Sequence, residues 1–273
     1  MIVFPNCKIN LGLHVTGKRA DGFHELETVF YPLPITDALE VVRADELLFE
    51  ASGIPIAGPV NDNLCLRAWH LLKTDFPALP PVSIHLHKYI PMGAGLGGGS
   101  ADAAFMLQLL NDKFKLNIDT PRLRSYAAQL GSDCAFFINN QPSFATGRGE
   151  ILTPCPVSLK GYGFLVIYPG IHVNTGWAFG QIIPQAPAFA LSERILAPVN
   201  KWKDLITNDF EAPVFKAHPV LAQVKQRLYT LGAVYATMSG SGASMVGIFP
   251  EGTAIPEKKW EPAYQVFRVK GSM

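Results

Sequence analysis

The segment Lys88-Tyr-Ile-Pro-Met-Gly-Ala-Gly-Leu-Gly-Gly-Gly-Ser-Ala-Asp-Ala-Ala-Phe-Met-Leu-Gln-Leu-Leu-Asn111 decides how this chain folds. Before it, Val82 to Ile90 alternates apolar and polar residues at strand spacing, and after Ser100 comes an apolar run of helical length. Between the two lie Gly93, Gly95, Gly97, Gly98 and Gly99, so the pattern predicts strand, glycine loop and helix. Glycine has no Cβ, so main-chain N–H groups in such a loop can come close to a ligand. The following helix adds its unpaired first amides and the positive end of its dipole. That combination suits a phosphate. Glycine clusters also make flexible linkers, but a linker rarely opens a helix this well. Ser100 reads as an N-cap and Asp102 as a first-turn acid. Ala101, Ala104, Phe105, Leu107, Leu109 and Leu110 leave the helix apolar nearly all round, hence buried with its loop fixed.

Several phosphate loops can be set aside on residues alone. A Walker A loop ends in Gly-Lys-Ser/Thr, and Gly99-Ser100 lacks the lysine. The spacing Gly93-x-Gly95-x-x-Gly98 formally matches a dinucleotide fingerprint, which needs an acid ending a strand about 20 residues on. Asp119 has that spacing but stands before Thr120-Pro121, read as an N-cap with proline at N1, so it introduces a helix. No His-Arg-Asp or Asp-Phe-Gly follows to make a protein kinase.

The run Pro91-Met92-Gly93-Ala94-Gly95-Leu96-Gly97-Gly98-Gly99-Ser100, continued by Ala-Asp-Ala-Ala, resembles the phosphate loop of the GHMP small-molecule kinases. Further segments match that family in order. Lys8-Ile-Asn10-Leu11 resembles an N-terminal strand in which the lysine sits beside the reacting hydroxyl and the asparagine holds substrate; by spacing alone, Lys8 and Asn10 share one strand face. Asp21-Gly22 reads as a hairpin turn. The resemblance there implies Phe23, in place of a usual tyrosine, as an aromatic platform for cytosine and His24 as a partner for the base edge. Asn61 or Asn63 caps a predicted amphipathic helix carrying Leu64, Ala68, Leu71 and Leu72. Asn63, Leu64 and Lys88 are the residues the resemblance places at adenine. After the helix opened by Thr120-Pro121, Gly131 reads as its C′ residue, and Gly131-Ser-Asp133 sets one carboxylate in a small-residue turn before an apolar strand or helix. In the family that aspartate is the catalytic base, so Lys8 and Asp133 are the implied catalytic pair.

Gly147 and Gly149 read as hairpin residues, and after Pro154 and Pro156 a buried strand restarts at Gly163. The expected division is therefore 1–156, an ATP-binding and catalytic domain, and 157–273, a C-terminal domain. The resemblance implies an α+β fold, with a ribosomal-protein-S5-like N-terminal domain, a ferredoxin-like C-terminal domain and the active site between them; pattern alone gives mixed α and β. Pro169 to Thr175 resembles a segment lining the substrate site. The aromatic that closes the second side of cytosine is then Phe179, with Trp177 as rival. Asn208-Asp-Phe-Glu211 heads one helix, Pro219 and Gly232 bracket another, and Ser239-Gly-Ser-Gly242 is a second glycine turn that the resemblance places in support of the phosphate site.

Composition limits the partners. Charged residues are 16% and net charge is +1, which leaves no broad basic field for nucleic acid. No apolar stretch approaches the roughly 20 residues of a membrane span. The four cysteines show no paired C-x-x-C spacing and no secretion signal is recognisable, so reduced thiols in a cytoplasm are expected. The resemblance implies ATP with Mg2+, with no acidic magnesium ligand assignable, and a small-molecule substrate, cytidine diphospho-methylerythritol. Another GHMP kinase, of homoserine or mevalonate type, and a non-catalytic nucleotide-binding protein on the same fold stay open at this point.

Overall fold

The structure, a computed structural model, describes residues 1–253, 255 and 260–270. Its strands are β1 (Ile2–Val3), β2 (Asn6–Lys18), β3 (His24–Thr36), β4 (Ala38–Arg43), β5 (Leu48–Gly53), β6 (Val82–Lys88), β7 (Ser143–Thr146), β8 (Ile151–Pro154), β9 (Gly163–Tyr168), β10 (Tyr235–Met238), β11 (Met245–Phe249) and β12 (Gln265–Val269). Its α-helices are α1 (Leu64–Asp75), α2 (Gly98–Phe114), α3 (Thr120–Leu130), α4 (Cys134–Asn139), α5 (Thr175–Gly180), α6 (Leu191–Arg194), α7 (Trp202–Leu205), α8 (Glu211–Ala217) and α9 (Pro219–Thr230). The chain divides into two compact units, each discontinuous in sequence.

The first unit comprises 1–7, 34–92 and 97–141. Its sheet has the order β1-β4-β6-β5, with β4 antiparallel and β5 parallel to β6. Strand alternation puts Leu39, Val41, Val82, Ile84 and Leu86 on the buried side, in the registers Leu39↔Leu86 and Val41↔Ile84. Helix α2 packs against α1, α3 and α4, which explains why it is apolar almost all round.

The second unit comprises 8–33, 93–96 and the described residues from 142 onward. It holds the hairpin sheet β2-β3-β7-β8 and an antiparallel sheet of order β10-β11-β9-β12. Strand β9 lies inside that second sheet and is buried along nearly its whole length, as its unbroken apolar run requires. Leu165, Ile167, Met245 and Phe249 share a core with Val214 of α8 and with Leu221, Val224 and Leu228 of α9.

Local chemistry corrects three readings of helix ends. Helix α2 begins at Gly98, with Gly97 as N-cap at φ +71, so Ser100 and Asp102 lie inside the helix and not at its cap and first turn. Left-handed Gly97 lets the chain turn three residues sooner, and its carbonyl accepts the Ala101 amide at 2.9 Å. Asp119, not Thr120, caps α3, its carboxylate accepting from the Arg122 amide at 2.9 Å. Gly131 leaves that helix in extended conformation, at φ 174, rather than as a left-handed C′ residue. Asn63 is the cap of α1 and accepts from the Cys65 amide. Among the described residues no helix is long and apolar enough to cross a membrane.

Candidate active site

In the second unit, Gly93–Leu96 is held by its carbonyls. The Ala94 carbonyl accepts from the Ser244 amide at 3.1 Å, the Gly95 carbonyl from the Ser239 hydroxyl at 2.7 Å, and the Leu96 carbonyl from the Lys8 amide at 2.9 Å. Among the described residues, the amides of Gly93 to Leu96 donate no hydrogen bond within the protein. Gly95 permits the close approach: a Cβ there would lie 2.0 Å from the Ser239 carbonyl oxygen, and its φ is +79. The loop therefore faces its carbonyls to the scaffold and keeps its donors unspent, the polarity an anion cradle needs. The chain then enters the first unit, where the amides of Gly97 to Ser100 open α2 with no hydrogen bond donated among the described residues.

The same scaffold strand carries the first two predicted residues. Lys8 and Asn10 are buried on β2, and the Lys8 ammonium donates to Asn10 Oδ1 at 2.7 Å while lying over the Phe30 ring. Asn10 Nδ2 donates to Thr28 Oγ1, which donates to the Gly12 carbonyl. The Asn10 amide is within 3.2 Å of Ser239 Oγ as acceptor, so strand β2, the second glycine turn and the loop share one network. Asn208 anchors that turn from below, donating to the Met238 and Gly240 carbonyls at 2.8 Å each. These roles of Thr28 and Ser244 had no signal in the sequence, because each is a small polar residue whose partner is set by folding.

Also in the second unit, Phe23 stands in the β2–β3 turn and is 53% exposed, so it does not belong to the core. The Arg148 guanidinium lies 4.7 Å from its ring centroid. Phe179 on α5 stacks on His24, with centroids 4.8 Å apart and an interplanar angle of 16°, and meets Phe210 edge-on. Phe179 is thus paired with His24, and the rival Trp177 is 39% exposed. Thr175 begins α5 and shares a hydrogen bond with the Ser241 hydroxyl at 3.1 Å.

In the first unit, a cavity of about 140 Å³ is lined by Asn63, Leu64, Lys88, Met92, Gly99 and Asp102, among others. Lys88 is buried at the end of β6 and pairs with Asp37 and, at 2.7 Å, with Asp102. Asp37 also accepts the amides of Tyr89 and Ile90 at 2.6 and 2.8 Å. Burial pulls the Lys88 pKa down, and the two carboxylates more than offset this, leaving it raised. Burial raises the Asp102 carboxyl to about 7, with Asp37 reinforcing and Lys88 opposing. One ammonium neutralises one carboxylate, and Asp102, whose Oδ1 has no hydrogen-bond partner among the described residues, is the one left short. An acid inside a helix apolar on nearly every side has to find a buried cation; that was the overlooked signal for this triad.

Asp133 sits half-buried immediately before α4, in αR conformation, with no side-chain capping bond. Beside it, burial pushes the Cys134 thiol up to about 12. Pro91 is buried and Met92 exposed at the loop entrance. Among the described residues, no group of three or more His, Cys, Asp or Glu side chains could hold a metal ion.

Two family profiles match the chain, GHMP kinases N terminal domain over residues 63–147 and GHMP kinases C terminal over 196–258. The chain belongs to the GHMP kinases. This GHMP kinase is 53% identical over 278 residues to a Bacteroides thetaiotaomicron protein named 4-diphosphocytidyl-2-C-methyl-D-erythritol kinase, covering 100% of both. It is 51% identical to a Bacteroides fragilis protein of the same name, over 97% of each. It also superposes on a crystal structure of 4-(cytidine 5'-diphospho)-2C-methyl-D-erythritol kinase with a TM-score of 0.79 at 34% identity, covering 91% of this chain and 90% of the other. A crystal structure of mevalonate kinase, at TM-score 0.70 and 13% identity, shares the fold alone.

Proposed function

We infer that this GHMP kinase transfers the γ-phosphoryl group of ATP to the 2-hydroxyl of 4-diphosphocytidyl-2-C-methyl-D-erythritol, a step of the non-mevalonate route to isoprenoid precursors. The observation that carries the kinase reading is the glycine loop with three carbonyls tied to the scaffold and its amides unspent. Full-length likeness to relatives bearing that substrate's name supports the choice of acceptor. The loop residues Pro91 to Ser100 bind the ATP phosphates, and Asn63, Leu64 and Lys88 line the pocket for its base. Asp133 takes the proton of the attacking hydroxyl and Lys8 counters the negative charge that develops, with Asn10 and Thr175 holding substrate. Phe23, His24 and Phe179 receive the cytosine. Residues 1–156 then act as the ATP-binding and catalytic part and 157–273 as the C-terminal GHMP part. Little covalent chemistry falls to the protein, so positioning supplies most of the acceleration.

The loop's unspent donors fit triphosphate. Mg2+ keeps water and phosphate oxygens as most of its ligands and needs few from protein, and Ser100 is the residue that would hold it. Bound there, the ion would neutralise charge on the transferring phosphoryl group. The four cysteines are buried thiols, in keeping with a cytoplasmic protein. A coupled ADP-release assay on a panel of the cytidine diphospho substrate, homoserine, mevalonate and phosphomevalonate tests the assignment. Turnover confined to the cytidine compound is expected; comparable turnover of any other acceptor would sink it.

A further inference from the structure

Arg148 lies in the turn between β7 and β8, and the turn is fixed beside the head of the β2–β3 hairpin. Pairing Thr28↔Ala145 aligns β3 with β7, and the Leu26 amide donates to the Gly147 carbonyl at 2.8 Å, so the next residue of the turn is delivered alongside Phe23. Gly147 and Gly149, at φ +70 and +106, flank it. Glu150 holds the turn closed by accepting the Arg148 amide at 2.6 Å, while its other oxygen is 3.6 Å from Arg148 Nε.

The guanidinium is thus placed over one face of an exposed aromatic ring with its outer N–H donors uncommitted among the described residues. The nearby carboxylates are already used. Asp21 accepts from Arg19 Nε at 3.0 Å and from the Phe23 amide at 3.1 Å, and Glu150 closes the turn. Arg19 in its turn is held by Asp21 and by Glu25 at 2.5 Å. Of these two arginines, Arg148 is the less committed.

We propose that Arg148 is a substrate-binding residue that pairs with the diphosphate of the cytidine ligand whose base stacks on Phe23. The proposal rests on the cytidine reading of this site. An arginine held over a ring presents a planar fork of donors suited to phosphate oxygens, and its placement by a closed turn means little ordering is lost on binding.

The test measures dissociation constants for cytidine and for cytidine diphosphate, without nucleotide donor, on the full chain and on Arg148→Gln and Arg148→Lys. The wild type should prefer the diphosphate, and Arg148→Gln should lose about tenfold to a hundredfold in binding it while cytidine itself changes little. Arg148→Lys, keeping charge without the fork, should recover part of the preference. The Michaelis constant for ATP and the melting temperature should hold in both variants, since the residue is half-exposed and packs no core. Equal weakening of cytidine and cytidine diphosphate would make Arg148 a backing for the Phe23 ring only and overturn the proposal, as would no loss for either ligand or a lysine variant no better than glutamine. A wild type that binds neither ligand would overturn the cytidine reading and this assignment together. That outcome is distinct from failure of Arg148 alone, in which the wild type binds the diphosphate tightly and the variants match it.

Discussion

Asp133 and Phe23 show what single side chains are expected to do. Replacing Asp133 with Asn removes a proton acceptor and no phosphate contact, so turnover should fall by about 10²- to 10⁴-fold with nucleotide affinity nearly intact. Near-wild-type turnover in that variant would take Asp133 out of the mechanism. Phe23 could have been a packed aromatic by its sequence context, and then truncation would unfold the hairpin. At 53% exposure it is not packed, so Phe23→Ala should leave the melting temperature almost unchanged. Base stacking on an aromatic is worth roughly 1 to 3 kcal/mol, so the Michaelis constant for the cytidine substrate should rise about tenfold to somewhat over a hundredfold, with that for ATP unaffected. Phe23→Tyr keeps the ring and should be near neutral. A rise in both constants would mean that Phe23 supports the fold of the site and not the base.

At the scale of elements, the glycine loop separates glycines needed for shape from one needed for space. Gly95 meets the Ser239 carbonyl where a Cβ would go, and its φ is positive, so even Gly95→Ala should weaken ATP binding strongly while the cytidine ligand binds normally. Gly99 lies in α2, and a Cβ added there would meet nothing within 4 Å. Gly99→Ala should therefore raise the melting temperature slightly, by the roughly 1 kcal/mol helix preference of alanine, and any loss of ATP affinity in it reports phosphate approaching that spot. Isothermal titration of each ligand on both variants checks this. Strand β6, the loop and buried α2 were legible in the sequence because alternation, glycine clustering and apolar periodicity are local. The exact start of α2 was not, since a left-handed Gly97 can cap a helix as Ser100 would. Nor were the partners within the Lys88–Asp37–Asp102 triad: an acid in a buried helix signals a buried cation, but the members are 51 and 14 residues apart and no spacing encodes which they are. Within the candidate site, the loop and Lys8 could be named as candidates from pattern and resemblance; the His24–Phe179 stack, joining residues far apart in sequence, needed the fold.

Stability and exchange are properties of the whole molecule, and the triad gives the first a pH signature. An unfolded aspartate titrates near 3.8, whereas folded Asp102 is raised to about 7, so the folded state binds this proton more tightly. The resulting stabilisation is complete below the unfolded value and is lost as pH rises through the folded one. Asp102→Asn mimics the protonated side chain, so the melting temperature of the wild type relative to the variant should decline as pH goes from about 5 to about 8. A constant difference across that range would show that Asp102 stays charged. The carbonyl-tied loop, finally, bears on deuterium uptake along the chain. Amides that hold scaffold bonds, such as those of Lys8 and Ser244, should exchange slowly, whereas those of Gly93 to Leu96, bonded to nothing among the described residues, should label within the shortest pulses although Ala94 and Leu96 have buried side chains. Adding nucleotide should silence that label at the loop, turning a stretch without side-chain chemistry into a reporter of occupancy that needs no dye and no mutation.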